Sequence, residues 1–594
     1  MKRKATYALV ALVLALYVVP AWATSYTWTA TGGTGYWDVS GNWSPSGIPS
    51  GADTANVSTL GSVVTLRAPG SGNSINKLNI AAGAEVQTAG SIAAPIDLTF
   101  EGSGETLTNN GLFDLSYNTT HNSASITASS TLTFNGSGTI LMEAPFNYIN
   151  GSGYSINNGL DGNNHKIYGI GSICYNPYGS GGTMNNYGTI QAQAIYSGST
   201  LRGNTLTMLG TCNNYNNLSA SPGATLQFGT SSLWFDYEGK TGGYIDLNGG
   251  NVSLVGLQNV RNADIRNSQS SSGNIYIPAG ANTTIQLYRN TTIESGVVCN
   301  INASNTLYLS YDPTNGQAPV MTNNGVINVL GSPTNSSSFS ADSGALLTGS
   351  GSLVLNGNSF LAGYTPLGLT QDVNHTIEGG GTLSGKIINN GTILANNGNL
   401  IVTGNISGTG QVMVDGGRLV VGQVGYLSST LQNKDLIMSS TGAITVISGW
   451  GVNLSGNFSY AMTDPSKWSW DSSSTLTMSG AGPAWHFLEA GGSKFVIPNL
   501  VISGNIALED LYNNSGDGSP EALYVNHLSF SGSTLDLNGI QLYVNGTQVL
   551  PTDPLYLGHI IDTPVPPAVP LPPSALLLGT GLAGLVGWRR FRKS

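Results

Sequence analysis

The sequence predicts an all-β protein, a right-handed parallel β-helix, with an N-terminal signal helix before it and a single hydrophobic helix at the C-terminus. Three observations predict it. A six-residue phrase, polar-apolar-any-apolar-any-Gly, recurs as TLTFNG (131–136), TLTMLG (205–210), SLVLNG (352–357), TLTMSG (475–480), HLSFSG (527–532), TLDLNG (534–539) and QLYVNG (541–546). Its period-2 alternation buries one face of a short strand, and its terminal Gly marks a corner that needs positive φ. A second phrase, an Asn pair followed by Gly, starts at Asn109, Asn157, Asn185, Asn323 and Asn389. Gaps of 48, 138 and 66 divide into steps of 22 to 24, the length of one three-sided coil, while the gap of 28 requires an insertion. Leu528, Leu535 and Leu542 stand seven apart, and three sevens make the same coil. Finally, only 8% of the residues are charged although apolar residues are regularly placed, which suits a stacked β-structure and not a disordered chain. A hairpin-built sandwich shares the Asn-Gly signal, but 594 residues would then need several domains and linkers, and no Pro-rich linker precedes Asp562.

Residues 1–23 read as a signal peptide. Lys2, Arg3 and Lys4 precede an apolar run from Ala8 to Val19, and Ala21 and Ala23 are the small residues that a signal peptidase needs. Residues 24–60 carry Trp28, Trp37 and Trp43 among turn formers, an aromatic cap for the first coil, with a carbohydrate-stacking platform as the competing reading. Residues 61–562 form the solenoid passenger, less regular between 425 and 520, where KWSW (467–470) and AWHF (484–487) mark insertions or a small separate domain. The passenger is expected to be one elongated stack from about 60 to 550. Asn residues that meet in successive coils can bond amide to amide along the axis. A Pro-rich linker, 563–573, follows.

The last 26 residues, 569–594, have three parts: Val569, Pro570, Leu571, Pro572 and Pro573; an uncharged run from Ser574 to Trp588; and the basic end Arg589, Arg590, Arg592 and Lys593. As a helix the run reaches roughly 22 Å, short of a hydrocarbon core of about 30 Å. Its basic end is expected to stay in the cytoplasm as a stop, with everything before it outside. This arrangement resembles the PEP-CTERM family of C-terminal sorting signals in its VPLPA-type variant, and Val569, Pro570, Leu571 and Pro572 carry the match. Pro573 stands where the variant usually has Ala, and the Glu of the parent motif is absent. The resemblance implies an exosortase-type processing enzyme as partner, transient anchoring in the inner membrane, and delivery to the bacterial cell envelope, cell surface or extracellular matrix. The opening segment is similar to that of secreted, autotransporter-like β-solenoid passengers, through Trp37, Asn42, Trp43, Gly47, Pro49 and Asp53.

The two ends hold seven of the twenty basic residues and no acids, so their removal leaves 13 basic against 30 acidic residues, a net charge of −17. No positive field is left for a nucleic acid. Cys174, Cys212 and Cys299 match no metal or redox spacing and read as buried small side chains, with one disulfide open to an oxidising compartment. Asp114, Asp161, Asp246, Asp415 and Asp536 occur singly and read as solvated corners. The six histidines (121, 165, 375, 486, 527 and 559) have no partner at ligand spacing. The loop NNSGDGSPE (513–521) could bind calcium through Asp517 and Glu521, but it lacks the order of a calcium loop and reads as a surface turn. With no acid pair, nucleophile motif or phosphate loop, no catalytic, cofactor or metal residue is assigned and no cofactor is expected. The expected function is that of a non-enzymatic structural or adhesin-like extracellular protein, with extracellular polysaccharide as a further candidate partner. A polysaccharide lyase or glycosidase on the same fold is the alternative, and three acids meeting on one face would favour it.

Overall fold

The computed structural model describes residues 23–563, apart from 68–69, 90–94, 117–122, 152, 161–163, 175–181, 230–231, 236–241, 256–258, 270–272, 315, 424–429, 481 and 517–520. Two compact units result, one ending at residue 426 and one beginning at residue 427. Both are parallel β-solenoids with almost no helix.

In the first unit, short strands follow one another around three faces, A, B and C. Thr54–Val57, Val63–Leu66 and Gly70–Ile75 make one turn, and Lys77–Ile80, Glu85–Thr88 and Ile96–Phe100 lie parallel beside them in the next. Alternate side chains point inward, as in Leu78 and Ile80, Val86, and Leu98 and Phe100, all buried. The strand period of two thus turns a polar, weakly charged sequence into a continuous apolar core. Corners are close approaches of one coil to the next. Gly136, the last residue of TLTFNG, has φ +91°, and a Cβ there would lie 2.3 Å from the carbonyl oxygen of Asn109 in the coil before.

Coil length is not uniform. Leu400 is level with Leu419, 19 residues on, whereas Leu307 is level with Phe339, 32 residues on. Asn157, Asn185 and Asn213 are level at intervals of 28, so that gap is an ordinary coil here and needs no special insertion. The 138-residue gap does not count whole coils, because the phrase changes place. Asn186-Tyr187-Gly188 turns the chain from face A to face B, while Asn323-Asn324-Gly325 turns it from face B to face C. The phrase specifies a kind of corner, and any corner of the coil can use it. An antiparallel hairpin, Ile195–Ser197 with Thr200–Gly203, interrupts one coil between faces B and C.

The inner asparagines build a buried polar chain. Asn158 donates to Asn186 (2.7 Å) and Asn186 to Asn214 (2.8 Å), while Nδ1 of His165 meets Asn158 Oδ1 at 2.7 Å and its Nε2 meets Asn109 Nδ2 at 3.4 Å. All five side chains are fully enclosed. His375 sits likewise beside Asn323 (3.1 Å). Burial pushes His165 down to about 3 and His375 down to about 4. On the other side of the same strands, Asn185 donates to Asn157 (2.8 Å) and the buried Asn213 to Asn185 (2.7 Å). The three cysteines are buried and free, with no disulfide between them, and burial pushes Cys174 and Cys299 up to about 12.

At the start of this unit, Trp28, Trp37 and Trp43 are buried and pack edge to face, with ring centroids 4.9 and 5.0 Å apart. Trp43 donates its indole N–H to Trp37 O (2.9 Å). With their rings enclosed, they offer no platform for a sugar. Strand Ser25–Trp28 lies parallel to Thr54–Val57 on face A and takes an antiparallel partner, Trp43–Ser44, at its other edge.

The second unit begins three-sided and becomes two-sided. Trp468–Trp470 pairs on face A with Ala443–Val446. Beyond it, among the described residues, strands alternate only between face B (Ile497–Ile502, Leu523–Phe530, Leu542–Val544) and face C (Asn505–Glu509, Thr534–Asp536). Leu528 and Leu542 therefore share face B with Leu535 on face C between them, and the seven-residue spacing does not trace three sides. Trp468 covers the side that loses its strand, with ring centroids 4.9 Å from Tyr460 and 5.8 Å from Phe495. An antiparallel strand, Thr547–Val549, covers the edge of Leu542–Val544.

Candidate functional site

Face B of the first unit gathers carboxylates that are far apart in sequence. Asp114 is level with Gln87 and Leu141 in the adjoining strands, so Glu85 and Glu143 are its diagonal neighbours, two residues back on one side and two residues on along the other. Asp114 faces outward yet is largely covered: Ser116 donates to its Oδ2 (3.0 Å), and its Oδ1 is buried without a hydrogen-bond partner. Burial, reinforced by the charges of Glu143 and Glu85, pushes Asp114 up to about 7. Arg202, on the hairpin, approaches Glu143 at 3.6 Å. The result is one carboxyl poised to hold a proton near neutral pH beside one that an arginine approaches. Such a pair can serve as general acid and partner carboxylate. Asp114 is therefore no solvated corner, and neither is Asp536, which is buried and accepts from Asn538 and Thr563 N–H. Asp415 is exposed, and Asp161 lies outside the described residues.

Face A carries a different surface. One outward row runs Thr106, Thr133, Asn157, Asn185, Asn213, Trp234, Arg261, Tyr288 across successive coils. Its amides bond to one another and to Thr133 (3.2 Å), and the Arg261 guanidinium lies 3.8 Å from the centre of the Trp234 ring. Arg261 also faces Asp312 at 3.8 Å, which Arg289 holds at 2.5 Å. Burial opposes the Asp312 charge, but Thr314 and the two guanidinium groups outweigh it and hold the carboxyl down to about 2. Tyr187 and Tyr215, at the adjoining corner, stack at 4.6 Å. Where faces A and B meet further along, a groove of about 270 Å³ is lined by Asn262, Asp264, Asn290, Thr292 and Glu294.

Among the described residues, no three His, Cys, Asp or Glu side chains are grouped to hold a metal ion. The sorting motif Val569, Pro570, Leu571 and Pro572, the basic stop Arg589, Arg590, Arg592 and Lys593, and Ala21 of the signal cleavage site lie outside the described residues; Ala23 is exposed just before the first strand. Asp517 is outside them as well, while Glu521 turns inward and is buried. No helix among the described residues is long and apolar enough to cross a membrane. The face B cluster escaped single-residue reading, yet it had a signal: 85, 114 and 143 are spaced 29 apart twice, within the range of coil lengths.

By fold the chain is a β-solenoid, an architecture used by structural, adhesive and enzymatic proteins alike. No family model, no curated protein and no solved structure matches it.

Proposed function

We propose that this is a secreted, envelope-sorted β-solenoid that acts as a structural or adhesin-like protein of the cell surface or extracellular matrix, with a right-handed coil as parallel crossovers take. The observation that carries the reading is the outward row of face A. Hydroxyls and amides repeat there at the strand spacing of about 4.8 Å and lead onto Trp234 and Tyr288, a flat surface that can offer hydrogen bonds and aromatic faces to a neutral polymer. Sorting rests on the sequence of the two ends: an exosortase-type enzyme would act near Val569-Pro570-Leu571-Pro572, with Arg589, Arg590, Arg592 and Lys593 retaining the tail at the inner membrane until cleavage. Binding to a panel of neutral and acidic polysaccharides tests the surface. Retention of a neutral polymer, weakened several-fold by Trp234→Ala with unchanged melting, is expected; no retention of any polymer would remove the adhesive part of the reading.

One observation favours the alternative, a polysaccharide-active enzyme: the Asp114, Glu143 and Arg202 grouping on face B. Depolymerisation of any panel member, abolished by Asp114→Asn and by Glu143→Gln, would establish it in place of the non-enzymatic reading.

A further inference from the structure

The second unit encloses carboxyl groups that no basic side chain among the described residues pairs with. Glu489, at the end of the face C strand His486–Glu489, is fully buried, and Glu521 is 5% exposed. Glu489 Oε1 accepts the N–H groups of Leu511 and Tyr512, each at 3.0 Å, and Glu521 Oε1 accepts that of Ser515. The second oxygen of each carboxylate is buried with no partner. Glu509 is level with Glu489 in the next strand, and Asp510 Oδ2 accepts the N–H of Glu521 at 3.1 Å. None of these four acids has a basic partner among the described residues.

Two neutral oxygens complete the picture, and both are unsatisfied. Asn514 is fully buried; its Nδ2 donates to the carbonyls of Tyr460 and Met462, each at 2.8 Å, which leaves Oδ1 free. The Tyr460 hydroxyl is likewise buried without a partner and lies in the field of Glu489 and Glu521. It comes so close to the chain after Glu489 that a Cβ on Gly491 would fall 2.5 Å from it. Two carboxylate oxygens, an amide oxygen and a phenol oxygen are therefore withdrawn from water with nothing to bond. Leaving such groups unpaired is costly, and enclosed like charges are costlier still.

We propose that Glu489, Glu521, Asn514 and Tyr460 form a structural site for one calcium ion. The charge fits, since two carboxylates balance a divalent cation. The donors fit too: all are oxygen, with no nitrogen or sulfur to favour zinc, and enclosure disfavours magnesium, which keeps several waters. Bound there, the ion would tie the face C strand ending at Glu489 to Asn514 and Glu521, on the side where the coil has lost its third strand.

Calorimetric titration of the EGTA-treated full chain with calcium chloride tests the site. One ion per chain is expected, with affinity lowered at least tenfold by Glu521→Gln and unchanged by Glu85→Gln in the first unit. A second measurement does not depend on affinity. In EGTA, the Glu489→Gln, Glu521→Gln double variant should melt higher than the wild type, because two enclosed carboxyl groups with unpaired oxygens are gone; in millimolar calcium the order should reverse. Absence of binding at millimolar calcium, binding that survives both Gln substitutions, or one melting order in both buffers would each overturn the proposal.

Discussion

His165 shows how one residue couples the fold to solution conditions. Its ring bridges Asn109 and Asn158 in the core and packs 5.7 Å from Phe134, and burial holds it neutral down to about pH 3. Because its unfolded counterpart gains a proton near 6.5, the unfolded chain binds more protons between the two values. Stability from this residue is thus fully present above pH 6.5 and is lost as pH falls toward 3. His375, depressed to about 4, acts in the same sense. Each should cost roughly 1.4 kcal/mol per pH unit across its window. Denaturant titrations of the first unit's transition between pH 7 and 4.5 should show this, and His165→Gln should lower the slope by roughly 1.4 kcal/mol per pH unit; an identical slope in the variant would refute the assignment. Asp114 works in the opposite sense, since its folded value of about 7 favours acid, so the comparison of variant with wild type is the informative one. Trp37 is the other single residue with a large expected effect. Fully buried between coil and partner rings, its truncation to Ala should destabilise by about 3–5 kcal/mol.

At the scale of an element, the coil corner is the unit of construction. The Asn pair divides its labour by strand alternation: Asn185 faces out and bonds along the surface, while Asn186 faces in and bonds along the axis. The same chemistry therefore has two energetic weights. Asn186→Ala would leave Asn158 Nδ2 with only the 3.4 Å contact to Thr189 O, and Asn214 Oδ1 without its donor, inside the core. A cost of about 1–3 kcal/mol per orphaned group is expected, on two groups for Asn186→Ala and on one for Asn185→Ala, because Asn213 is buried while water can reach the half-buried Asn157. Equal chemical denaturation midpoints for the two variants would contradict this. The pairing of Asn with corners was legible from NNG alone. Which corner was not, because strand propensity and Asn-Gly turn chemistry are the same at every corner, and only the lengths of the intervening segments decide where the chain stands on its way around.

For the molecule as a whole, the proposed sorting rests on the sequence at its ends. Deletion of 569–594 is expected to release a folded passenger, while replacing Arg589, Arg590, Arg592 and Lys593 with Ser should leave the tail exported and uncleaved. Mass spectrometry of the mature surface protein reads the outcome, and a C-terminal peptide containing Trp588 in most molecules would show a permanent anchor instead.

Read alone, the sequence determined the β-class, the parallel stacking, the inward column of apolar residues, the stacking of Asn on Asn in successive coils and the composition of both ends, because each depends on neighbours within about six residues: alternation, a glycine corner, a charge cluster. Tertiary structure decided what required knowing which coil lies on which. It brought Glu85, Asp114 and Glu143 onto one face, turned Glu489 and Glu521 inward beside Tyr460, ended face A at Trp468–Trp470, and enclosed the two histidines. Coil lengths between 16 and 35 residues erase any fixed period that could have forecast these meetings. In a solenoid every neighbour is one coil away, so a few inserted residues change the partners of every side chain in that coil without changing the local pattern that makes it a strand.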